Sequence, residues 1–192
     1  MFALLIYFIM TLMTLNELFP KCIPHFISFI ICILSSFIFV FLLLKILSPK
    51  IKISPYIAKR NIDGKESYIF KIVNESMFDT YNVKFRLVMR EPIITENNKV
   101  NHKTTKIELV IDELFCIPRY KKDKDYGDYA ALIRTEFDLS KDICKENIEY
   151  ELMVSASHGL SNITKVIRQR FDNSGNIHEK MFKFGKSLKI NN

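Results

Sequence analysis

The sequence is poor in the residues from which active sites are built. Five glycines among 192 residues form no glycine-rich phosphate loop, and neither a nucleophile elbow nor an HExxH pair occurs. The four histidines, His25, His102, His158 and His178, are scattered without metal-ligand spacing. Ser157 and His158 are neighbours, but adjacent side chains on a strand point to opposite faces and make no catalytic pair. No role of an active site can be assigned, so the chain reads as a non-enzyme with no metal and no cofactor.

Cysteine is equally sparse. Cys22 and Cys32 sit in or beside an apolar stretch, and Cys116 and Cys144 lie far apart in the polar part. There is no CxxC pair, which excludes a disulfide scaffold and points to a reducing compartment.

Charge is missing from the first 44 residues, where only Glu17 and Lys21 are ionised, so the formal net charge of +7 belongs to the rest of the chain. A basic excess suits anionic partners such as phosphates or acidic headgroups; a lysine-rich solvated surface is the plainer reading. The uncharged region holds two apolar runs, 2–19 and 26–47, separated by the proline-bounded stretch 20–25, "PKCIPH". The second run has the roughly 20 residues that span a hydrocarbon core. The first carries Thr11, Thr14, Asn16 and Glu17 toward its end, and it lacks the basic start and small-residue cleavage site of a signal peptide. The spacing predicts a transmembrane helical hairpin over residues 1–47, with one span preceded by an interfacial segment as the other reading. Lys45, Lys50, Lys52, Lys59 and Arg60 follow the second run, so the positive-inside rule places the remainder, 48–192, in the cytoplasm. The short turn leaves no room for a pore helix, and no TVGYG-like filter appears, which argues against a selective potassium channel.

Beyond residue 50 the hydrophobic period is two. In "YNVKFRLVMR", Tyr81, Val83, Phe85, Leu87 and Met89 share one face and Asn82, Lys84, Arg86, Val88 and Arg90 the other. Similar alternation predicts strands at 50–58, 67–74, 106–112, 130–139, 147–156, 162–171 and 177–188. Asp63-Gly64 is a hairpin signal, "SHGLSN" and "DNSGN" mark later turns, and 139–148 suits one helical turn. The expected fold is a helical hairpin followed by an all-β domain of about eight mostly antiparallel strands, as a small closed barrel or an immunoglobulin-like sandwich.

Binding is better supported than catalysis. An anionic nucleotide needs guanidinium or ammonium groups for phosphate and flat rings for bases. The stretch "PRYKKDKDYGDY" supplies Arg119, Tyr120 and Tyr126, "LIRTEF" supplies Arg134, and "TKVIRQR" supplies Lys165, Arg168 and Arg170. Arg168 and Arg170 are two apart and share a strand face with Val166. The alternative for each is an ordinary solvated charge.

In order and length, the whole chain resembles the two-transmembrane, β-strand-rich effectors of bacterial cyclic-oligonucleotide anti-phage systems, the CBASS type. The resemblance implies a multi-pass inner-membrane protein whose cytoplasmic barrel binds a cyclic oligonucleotide, self-associates and disrupts the membrane, with lipid as a partner and no DNA or RNA polymer. It is a resemblance of layout and carries no residue roles. The rival expectation is a membrane-anchored β-sandwich that docks another protein and has no nucleotide ligand.

Overall fold

A stretch that is apolar on every side and free of glycine has little reason to leave the helix, and here it does not. The computed structural model describes residues 2–94, 99–121, 127, 129–143, 148–172 and 174–191. The chain divides into two units, Met1–Ile46 and Leu47–Asn192. The first unit is one helix, α1 (Phe2–Ile46). The hairpin expected from the prolines is therefore not formed: the helix runs through 20–25. Each proline removes a single backbone donor, whereas a turn would release several polar groups, which apolar surroundings penalise heavily. Within α1, Pro24–Ile46 is 23 residues long with a mean hydropathy of 3.0. It is long and apolar enough to cross a membrane. Its serines do not break that character, because Ser28 Oγ donates to the Pro24 carbonyl and Ser36 Oγ to the Cys32 carbonyl, both at 2.8 Å.

The second unit is built from two sheets. Sheet A has the order β6 (Ala130–Thr135), β2 (Lys65–Asn74), β1 (Ile51–Ile62), β9 (Ile177–His178). Sheet B has the order β4 (Val100–Ile107), β3 (Thr80–Ile94), β7 (Glu149–His158), β8 (Thr164–Phe171), with β5 (Glu113–Ile117) also on β3. All pairings are antiparallel except β1 with β9. Among the described residues no ladder joins one sheet to the other, so the expected barrel is not closed and the two-sheet arrangement holds instead. The reason lies at the edges. Strand β8 pairs only with β7, and β9 gives β1 just Ile177 and His178 as partners.

Alternation explains the core. Ile57, Tyr68, Phe70, Ile72 and Ile133 from sheet A meet Val83, Phe85, Leu87, Tyr150, Leu152, Val154 and Phe171 from sheet B in one buried cluster. Phe70 and Phe171 join the sheets with ring centroids 5.4 Å apart. Tyr68 keeps its hydroxyl satisfied while buried, donating to Asp138 Oδ1 at 2.7 Å. Asp138 also accepts from Ser140 Oγ and the Ser140 amide, which nucleates the short helix α2 (Ser140–Ile143). The Ser140 hydroxyl, and then the Tyr68 hydroxyl, hold this carboxyl well below the usual carboxylate range.

Turn chemistry behaves as expected at Asp63-Gly64, where both residues have positive φ (54° and 80°) and close the β1–β2 hairpin. Two strand expectations change. Of the predicted strand at 106–112 only 106–107 are strand, as the end of β4, and 108–112 form the connection to β5, because the long β3 pairs first with β5 at its start and then with β4 toward its end, and the chain between must cross. Val110 N and Phe85 N are satisfied during that crossing by the Arg134 and Asp112 carbonyls. The predicted strand at 177–188 survives only as β9. Beyond it, residues 179–191 fold back on themselves, with Lys183 N bonded to the Lys189 carbonyl and Asn191 N to the Met181 carbonyl. Gly185, at φ 80°, permits the reversal.

This C-terminal strap lies over the outer face of sheet A. Lys71, between the inward-facing Phe70 and Ile72, points outward yet is only 3% exposed. Its amine donates to the Lys183 carbonyl at 2.6 Å and the Gly185 carbonyl at 2.7 Å. Ser54 Oγ adds a bond to the Leu188 carbonyl at 2.8 Å.

A candidate docking face on sheet B

Residues directly opposite one another on paired strands lie on the same side of a sheet. The register of sheet B therefore assembles its outer face in rows. One row is Arg86–Met153–Arg168 across β3, β7 and β8. The next is Lys106–Val88–Glu151–Arg170, starting on β4. On either side are Arg90–Glu149 and Lys84–Ser155–Val166. Glu113 of β5 stands opposite Lys84. Six cations thus share a face with three carboxylates around Met153, Val88 and Val166.

Two kinds of arginine are present. Glu151 is 3% exposed although it points outward, because Arg90 Nη1 reaches to 3.7 Å and Arg170 Nε to 3.6 Å of its carboxylate. These distances define ion pairs rather than hydrogen bonds. The Arg90 side chain is 22% exposed in this pairing and that of Arg170 57%. Arg86 and Arg168, by contrast, are exposed and their side chains make no hydrogen bond or ion pair among the described residues. Strand spacing sets their Cα atoms about 10 Å apart, two inter-strand steps.

The sequence-derived candidates fall on several surfaces. Arg168 and Arg170 lie in the rows above, with Val166 beside them. Lys165 pairs with Ala156, a core position, and so has the opposite parity. Arg134 pairs with Ile69 on the outer side of sheet A, and its carbonyl accepts from Val110 N at 2.9 Å. Arg119 and Tyr120 follow β5. The Arg119 amide donates to Asp79 Oδ1 at 2.8 Å. The Tyr120 ring meets that of the buried Tyr129 edge-on at 4.9 Å and carries the Lys186 amine 5.0 Å from its centroid. Tyr126 lies outside the described residues. Arg86, Arg90, Lys84, Lys106 and Glu151 were not among the candidates. Their signal was the polar side of "YNVKFRLVMR", which only the pairing through β7 connects to "TKVIRQR".

The groove lined by Met89, Lys106, Ile107, Leu109, Val110 and Phe137 is open to solvent. Among the described residues no three His, Cys, Asp or Glu side chains gather to hold a metal ion.

The geometry defines a β-sandwich unit that follows an apolar helix in sequence, with one outer face covered and the other, among the described residues, bare. No protein-family model matches the chain, and no curated protein sequence matches it. Among solved structures it is similar to Spo0M, the sporulation control protein from Bacillus subtilis, at 13% identity and a TM-score of 0.37, over 65% of this chain and 48% of that one. It therefore spans about half the length of Spo0M. It is also similar to the structural-genomics target SoR45, at 14% identity and a TM-score of 0.25, over 71% of this chain and 95% of that one.

Proposed function

We propose that this chain is a membrane-anchored interaction module that binds its partner through the outer face of sheet B. One observation carries the reading: the strap with its buried Lys71 contacts covers sheet A, while the rows around Arg86, Met153 and Arg168 stay bare. A face with exposed arginines around apolar side chains has the composition of protein interfaces. In this reading Pro24–Ile46 is the anchor. Lys45 in its last turn and Lys50, Lys52, Lys59 and Arg60 after it keep the β unit on the cytoplasmic side. With one span, the N terminus lies on the opposite side.

The cyclic-oligonucleotide effector is the second reading. What favours it is the Tyr120 ring with Lys186 above it and Arg119 beside it, a cation and flat-ring combination suited to a phosphate-linked base. Ser28, Cys32 and Ser36 recur every four residues along the span, and small residues so spaced allow helices of different copies to pack and self-associate. Calorimetry of the full chain in nanodiscs against cyclic di- and trinucleotides separates the two. The interaction-module reading expects no binding heat. Saturable heat that disappears in Arg119→Ala and Tyr120→Ala would replace it with the effector and its membrane-disrupting assembly.

A further inference from the structure

Among acidic surfaces, three could meet the bare face: an anionic bilayer, a nucleic acid strand and an acidic polypeptide. The residues distinguish them. A continuous polyanion pays a repulsion at every carboxylate it passes, and Glu113, Glu149 and Glu151 are interspersed among the cations of this face. A nucleic acid strand stacks successive bases on several aromatic platforms; Phe115, 79% exposed two residues after Glu113 on β5, offers one ring at the margin of this face, and the rows around Met153 add none. Arginine outnumbers lysine by four to two in these rows, and the planar guanidinium matches a carboxylate in two-pronged fashion where an ammonium offers only a point charge.

Spacing and pre-organisation narrow the fit further. Glu151 restrains Arg90, whose side chain is only 22% exposed, so less of its freedom is lost when a ligand arrives; Arg170, at 57%, is held more loosely. The unpaired Arg86 and Arg168 flank Met153. A carboxylate on each guanidinium and an apolar side chain on Met153 would complete that row. An extended peptide presents alternate side chains to one side, about 7 Å apart. A glutamate, any residue, a leucine, any residue and a glutamate in succession place the two carboxylates about 14 Å apart, wider than the roughly 10 Å between the two arginine Cα atoms, so the long arginine side chains must splay outward to meet them with Met153 between.

We infer that the outer face of sheet B is the docking surface for an acidic, partly apolar polypeptide segment. The inference rests on the interaction-module reading and specifies its partner. Other copies of this chain are disfavoured as the partner, because two such faces would oppose arginine to arginine.

Fluorescence anisotropy with the full chain in zwitterionic nanodiscs tests it. The probe is a short labelled peptide repeating glutamate, serine, leucine, serine, glutamate; the control has lysine for every glutamate. The expected result is binding of the acidic peptide alone, weakened at least about tenfold in Arg86→Glu/Arg168→Glu, which corresponds to about 1.4 kcal/mol. Both residues are exposed and unpaired, so unchanged thermal melting is expected to accompany the loss. A second variant, Lys165→Glu/Lys180→Glu, changes net charge equally away from the face and should bind as the wild type does. Equal affinity for the two peptides, equal weakening in both variants, or retained binding in Arg86→Glu/Arg168→Glu would overturn the inference. So would tighter binding of poly(U) or phosphatidylserine vesicles that is lost in the same variant. Any of these without nucleotide binding removes the acidic segment and leaves the anchored module standing; nucleotide heat dependent on Arg119 and Tyr120 removes the module itself.

Discussion

Phe70→Ala and Phe171→Ala are each expected to remove about 3–5 kcal/mol of stability. Both rings are fully buried, and each comes from a different sheet, so each truncation opens a cavity in the layer between them. A domain of this size has only about 5–15 kcal/mol in total, so either variant approaches unfolding at body temperature. The pair also tests the architecture. The rings meet at 5.4 Å with a tilt of 57°, a geometry that adds about 0.5–1.5 kcal/mol beyond buried area. Urea titration of the wild type, both single variants and the double variant should therefore show coupling of that order. Strict additivity would mean that the two sheets do not share one core.

Lys71→Met is the second large effect, expected at about 1.5–3 kcal/mol, the range for hydrogen bonds made by a charged group. The substitution keeps the length and apolar stem of the side chain but removes the amine that holds two strap carbonyls. Burial pushes that amine below its ordinary value, because a charge taken out of water is disfavoured unless it is compensated. The two carbonyls supply the compensation, and once the amine is gone no other side chain among the described residues gathers them. Hydrogen exchange gives the local readout: amides across 181–191 should exchange about tenfold faster or more, while those of β3 and β7 change far less. Unchanged protection of the strap would show that Ser54 and the apolar contacts hold it without the lysine.

How far the sequence revealed this molecule depended on how local each feature is. Strands β1, β2, β3, β7 and β8 were legible because each buries one side, and "YNVKFRLVMR" declares that alternation without help. Asp63-Gly64 was legible because its backbone geometry is intrinsic to the pair. The helix was misread where proline was taken as punctuation; in an apolar helix the loss of one donor at Pro20 or Pro24 costs less than exposing a whole turn. The division of β4 from β5 was not legible, since it depends on β3 being long enough to serve two partners. "MFKFGKSLKI" alternates like a strand, but Gly185 bends it and Lys71, more than a hundred residues earlier, captures its carbonyls.

The candidate face followed the same rule. Lys84, Arg86 and Arg90 could be placed on one side of their strand, and so could Arg168 and Arg170. Their union across β7 is a non-local pairing that alternation alone does not encode. Arg119, Arg134 and Lys165 were chosen on composition, and the fold distributes them to other surfaces.

The proposed function requires that Pro24–Ile46, long and apolar enough to cross a membrane, sit in lipid with the β unit on the cytoplasmic side. The most direct measurement is thiol accessibility in intact cells, using Lys165→Cys in a chain whose four native cysteines are replaced by serine. The account predicts that the protein sediments with membranes and reacts with an impermeant maleimide only after the cells are opened. Labelling in unopened cells, or recovery of the full-length chain in the soluble fraction, would contradict it.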